Sequence, residues 1–112
     1  MMDATVQRFG MAARLRPEKR AEYLELHSAV WPQVEATITD CGIRNFSIFV
    51  LGDVIFGYYE YVGDDFEADQ ATMASDPVTQ QWWARTAPCQ LPLDPQSGEP
   101  GWQIMHEAWH QD

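Results

Sequence analysis

Residues 43–63, IRNFSIFVLGDVIFGYYEYVG, hold two runs rich in β-branched and aromatic side chains, 43–52 and 54–63, which meet at Gly52-Asp53. Such side chains favour a pleated, half-buried backbone, and a Gly-Asp step between two runs is a compact turn signal. The stretch therefore reads as an antiparallel hairpin.

Working outward, residues 5–15 (TVQRFGMAARL) alternate loosely, with Phe9, Met11, Ala13 and Leu15 on one face and Arg8, Ala12 and Arg14 on the other. That period of two predicts a strand. Residues 17–42 (PEKRAEYLELHSAVWPQVEATITDCG) are patterned as an amphipathic helix. Pro17 suits a first turn, and Glu18 and Glu22 lie toward the positive end of the dipole. Pro32 interrupts or kinks this helix, and Cys41-Gly42 ends it.

Beyond the hairpin, Asp64-Asp65 precedes FEADQATMAS and Asp76-Pro77 precedes VTQQWWART, each an acidic cap before a helical run. Residues 88–101 hold four prolines and two glycines and read as loop, and 102–111 (WQIMHEAWHQ) alternate as a last strand. The order strand, helix, strand, strand, helix pair, strand is an α+β, ferredoxin-like split β-α-β pattern: a four-stranded antiparallel sheet with helices on one face. Residues 1–112 then make one domain. Its uncovered sheet face would show a large apolar patch to water, so a homodimer joined through the sheets is expected.

With 17 acidic against 7 basic residues the formal charge is −10, and no basic stripe exists. Nucleic acid and anionic membrane surfaces are poor partners for such a chain; a small neutral molecule suits it better. No run of eighteen apolar residues and no signal-like N-terminus is present, so a cytoplasmic location is expected. Cys41 and Cys89 lie far apart without a CxxC or Cys/His spacing, and His106 and His110 would sit about 13 Å apart along a strand, too far to share a metal. Neither a metal nor an organic cofactor is expected.

Tyr23, His27 and Trp31 stand four residues apart. On a helix, four-residue steps drift by only about 40°, so a phenol, an imidazole and an indole would line one stripe. A packing stripe seldom needs an imidazole, since Leu would fill the space without a polar group to satisfy. Imidazole is also the side chain best matched to proton transfer near neutral pH. Trp82 and Trp83 are adjacent on a helix, about 100° apart, so at most one can face the core fully. Glu60 and Glu107 sit in otherwise apolar strands and could serve as acid/base partners or stand on a solvent edge.

YLELHSAVWPQVE (23–35), GIRNFSIFV (42–50), VIFGYYEY (54–61), Asp76-Pro77 with VTQQWW, and the closing HEAWH (106–110) together resemble the L-rhamnose mutarotase family over residues 5–112. These are small cofactor-free enzymes of dimeric α/β-barrel architecture that interconvert sugar anomers. The resemblance implies that His27 is the acid/base residue and that Tyr23, Trp82 and Trp83 contact the sugar. Phe46 stands where rhamnose-type members have a tyrosine. The middle of the chain looks more like the branch assigned to L-fucose, so L-fucose is expected over L-rhamnose. The second proton-transfer group is left open among Glu60, Glu107 and a water. The rival readings are a cofactor-free monooxygenase and a small-ligand-binding dimer, because this fold hosts several chemistries.

Overall fold

The structure, a computed structural model, describes residues 6–112. The hairpin is present as β2 (Ile43–Leu51) and β3 (Val54–Tyr61), with Leu51 paired to Val54 across a two-residue turn. Gly52 turns there at φ 59°, a left-handed conformation that a residue without Cβ adopts freely. β1 (Gln7–Leu15) lies antiparallel to β3, pairing Met11 with Gly57 and Ala13 with Ile55. Residue 5, the start of the expected strand, lies outside the described residues.

Among the described residues four helices cover one face: α1 (Arg20–His27), α2 (Pro32–Asp40), α3 (Phe66–Ser75) and α4 (Pro77–Thr86). The acidic caps act as read, since Asp65 accepts from the Ala68 N–H at 3.1 Å and Asp76 from the Thr79 N–H at 2.8 Å. These bonds satisfy donors that a helix start leaves without partners. The Thr79 N–H and hydroxyl hold the Asp76 carboxyl below its usual range.

The interruption read at Pro32 is present: two helices follow a short 3-10 turn at Pro17–Lys19, and Trp31, ahead of Pro32, is extended at φ −63°, ψ 129°. A proline's ring disfavours the helical conformation in the residue ahead of it. Three expectations need correction. First, Trp31 is the N-cap of α2 and not a member of the stripe on α1. Second, the expected loop 88–101 contains a two-residue strand, β4 (Gln90–Leu91), paired with Arg14 and Leu15. Third, the last strand is only β5 (Gln103–Met105), which pairs with Gly10–Ala12, and residues 106–112 have no regular structure. Among the described residues the sheet therefore has five strands, in the order β2-β3-β1 with β4 and β5 sharing the outer edge of β1.

Helices and sheet meet in two clusters. Ala13, Leu15, Tyr23, Ile55 and Cys89 form one, and Cys41, Ile43, Tyr61 and Met73 the other. Tyr23 pins α1 onto β1 and β3, and burying a ring of this size stabilises the fold by about 2–3 kcal/mol. On the opposite face the side chains of Phe49, Leu51, Val54, Phe56 and Met105 are exposed, Leu51 by 84%. Among the described residues no helix is long and apolar enough to cross a membrane.

Candidate functional site

Between helices and sheet lies a cavity of about 830 Å³ whose wall includes Tyr23, His27, Trp82, Trp83, Gln90 and Trp102. Its volume falls within the range of about 300–1,000 Å³ usual for small-molecule sites. Tyr23 and His27 follow each other by one turn of α1, and their rings lie 4.2 Å apart. The indole of Trp82 reaches in from α4, edge-on to His27 at 5.3 Å and to Trp31 at 5.1 Å. Trp31 thus joins the aromatic cluster from the turn between helices. Trp82 is 6% exposed and Trp83 39%, which divides the pair into one packed indole and one at the rim.

His27 directs Nδ1 at the main-chain oxygen of Tyr23, 2.8 Å away. A carbonyl only accepts, so Nδ1 carries the hydrogen, in the neutral imidazole and in the imidazolium alike, and Nε2 is the nitrogen at which a proton can come and go. Nε2 has no partner among the described residues. Tyr23 is only 1% exposed, and its phenol stands 3.5 Å from the Gln90 carboxamide, a weak bond at that length. Burial pushes the Tyr23 phenol up to about 12. Tyr23 is part of the cavity wall.

The lining also takes in Glu35 and Ile38 of α2, Arg44, Asn45 and Phe46 of β2, and Tyr59 and Met73. Here the β2–β3 register slips between Arg44 and Ser47, and Asn45 takes φ 53°, a left-handed conformation uncommon outside glycine. The bulge turns Phe46 onto the Tyr59 ring, with centroids 5.4 Å apart. Phe46 occupies cavity wall without a hydroxyl.

Glu60 and Glu107 do not line this cavity. Glu60 accepts from Asn45 and from the Tyr58 hydroxyl, each at 2.8 Å, and these bonds hold its carboxyl below the usual range. Glu107 pairs with Arg8 at 2.8 Å, which lowers its carboxyl likewise. Both belong with the uncovered face of the sheet, since Arg8 pairs with Glu60 across β1 and β3. Glu35, Gln90 and Trp102 are among the lining residues that sequence reasoning missed. Gln90 and Trp102 sat in or beside a proline-rich loop, and Glu35 is one of several glutamates on helix surfaces. Among the described residues no group of three His, Cys, Asp or Glu side chains is placed to hold a metal ion.

A family model described as L-rhamnose mutarotase matches residues 8–111. An L-rhamnose mutarotase of Sinorhizobium medicae is 34% identical over 84 residues, covering 73% of this chain and 78% of that one. Among solved structures, an L-rhamnose mutarotase from Formosa agariphila superposes with a TM-score of 0.72 at 19% identity, over 95% of this chain and 99% of that one. Tetracenomycin F2 cyclase from Streptomyces glaucescens, a type-II polyketide cyclase, superposes at 0.63 with 17% identity, over the same shares of the two chains. At those identities the superpositions show the ferredoxin-like fold alone, and the cyclase illustrates how little the fold says about chemistry. Sequence and family model together place this protein among the isomerases. The chain belongs to the L-rhamnose mutarotase family. The relatives described carry the L-rhamnose name, and none supports the expected lean toward L-fucose.

Proposed function

We propose that this protein exchanges the α and β anomers of a 6-deoxy-L-hexose, with L-rhamnose as its substrate, and that His27 is its acid/base residue. The observation that carries the reading is the imidazole whose Nδ1 is tied to the Tyr23 carbonyl while Nε2 is left open, on the wall of an aromatic cavity. Anomer exchange opens the pyranose ring: the ring oxygen gains a proton, the anomeric hydroxyl loses one, and the carbonyl turns before reclosing. An imidazole that can lose and regain a proton at one fixed nitrogen suits that cycle, and such help is worth roughly 10² to 10⁴ in rate. The fixed donor at Nδ1 serves both states, because the imidazolium also donates to a carbonyl. Trp82 and Trp83 offer indole faces to the methyl and C–H side of the sugar, and Tyr23 supports His27 from beneath.

The working unit in this reading is a homodimer closed through the uncovered sheet face, where Phe49, Leu51 and Phe56 stand exposed. Freshly dissolved crystalline α-L-rhamnose followed by polarimetry, with L-fucose in parallel and EDTA present throughout, tests the function. Acceleration over the spontaneous rate with rhamnose is expected. Absence of acceleration with either sugar would refute the reading, and a higher kcat/KM for L-fucose would reverse the choice of sugar.

A further inference from the structure

Ring opening needs two proton transfers, one at the anomeric hydroxyl and one at the ring oxygen, and His27 alone serves one of them at a time. We propose that Glu35 is the second catalytic residue, an inference that rests on the mutarotase reading above. Among the described residues that line the cavity, Glu35 is the one carboxylate. It stands exposed in the first turn of α2, and Val30 and Val34, between it and His27 in the chain, line the same cavity. Among the described residues its carboxylate takes part in no ion pair and no side-chain hydrogen bond, unlike Glu60 and Glu107, which are held by Asn45, Tyr58 and Arg8 on the far face.

The remaining ionisable groups on the wall are poor candidates. Arg44 has only donors on its guanidinium and is anchored by its Nη1 to the main-chain oxygens of Thr39 and Ile43, each at 2.9 Å. Burial raises the phenols of Tyr23 and Tyr59, which keeps them from accepting a proton at neutral pH. A carboxylate without a partner is the group left to act as base.

In the opening step the Glu35 carboxylate takes the proton of the anomeric hydroxyl, the C1–O1 bond becomes a carbonyl, and the C1–O5 bond breaks with its electron pair passing to O5. O5 receives the Nε2 proton of the His27 imidazolium. After rotation about C1–C2, the O5 hydroxyl adds to the other face of the carbonyl and returns its proton to Nε2, while O1 takes the proton back from Glu35. Both groups end as they began, so no oxidant, reductant or metal enters the balance.

The test uses the full chain with L-rhamnose and compares wild type, Glu35→Gln, Glu35→Ala and, as a carboxylate control off the cavity, Glu107→Gln. Expected are a kcat lower by about 10² in both Glu35 variants with KM within a factor of about two, partial recovery of Glu35→Ala by sodium formate, and wild-type kinetics for Glu107→Gln. Unchanged kcat in Glu35→Gln would overturn the assignment. A raised KM with unchanged kcat would make Glu35 a binding contact, and a loss in Glu35→Ala that formate does not relieve would make its role structural; either result also overturns it. A wild-type protein inactive on the sugar would instead dispose of the functional reading beneath it.

Discussion

The Nδ1 atom of His27 lies 2.8 Å from the main-chain oxygen of Tyr23, one helical turn earlier. The Tyr23 side chain is itself buried in the cluster with Ala13, Leu15, Ile55 and Cys89. The imidazole's orientation is thus set by the same residue that fixes α1 to the sheet, and a proton-transfer group gains stiffness from the core.

His27→Ala should lower the rate of anomer exchange by roughly 10² or more while the fold persists, because His27 is only half-buried and its loss removes a proton carrier rather than a core side chain. Saturation-transfer NMR on an equilibrated sugar solution gives the rate, and circular dichroism gives the fold. Wild-type exchange in a folded variant would make the histidine structural.

Phe46→Tyr adds a hydroxyl where the ring lines the cavity and meets Tyr59. If that hydroxyl reaches the sugar, an ordinary hydrogen bond of about 0.5–1.5 kcal/mol should lower KM for L-rhamnose by about two- to tenfold with little change in kcat. Steady-state polarimetry separates the two constants.

Leu51→Glu places a charge on the uncovered sheet face at a position 84% exposed within one chain. Wild type should scatter light as a particle of twice the chain mass, and the variant should shift toward one chain mass without losing helical signal. Equal masses for the two proteins would remove the sheet-to-sheet dimer.

Stability should fall between about pH 10 and about 12. Burial raises the Tyr23 phenol to about 12 in the folded state, whereas an unfolded tyrosine titrates near 10. In that window the unfolded chain holds fewer protons than the native one, so its contribution is complete below pH 10 and is lost as pH rises through the folded value, by at most about 1.4 kcal/mol per unit. Urea midpoints across the window should show a shallower slope for Tyr23→Phe than for wild type.

The parts of this fold that were readable in the sequence are those where local chemistry and tertiary packing agree. Gly52-Asp53 turns a hairpin, Asp65 and Asp76 cap helices, and Gly42 at φ 84° follows the end of α2. Where tertiary pairing alone decides, the pattern was mute. β4 is two residues long amid prolines and exists only because Arg14 and Leu15 offer it an edge. The alternation of residues 102–111 overstated β5, since only Gln103–Met105 find a partner. The site divides in the same way. Tyr23, His27, Trp82 and Trp83 are unusual side chains for their places and stood out, and all four line one cavity. Glu35 resembles any solvated helix glutamate, and Gln90 any loop glutamine; what distinguishes them is a wall that only the folded chain builds.

The shared edge of β1 also bears on the order in which this molecule acquires its working form. The β2–β3 hairpin closes over two residues and belongs to the microsecond class of events. β4 and β5 must return across nearly the whole chain to reach β1, and such distant closures come late. Gln90 and Trp102 arrive with them, so refolding chains would regain sheet signal well before they regain a closed binding chamber. Recovery of turnover, timed against recovery of circular dichroism, becomes a clock for the final seam.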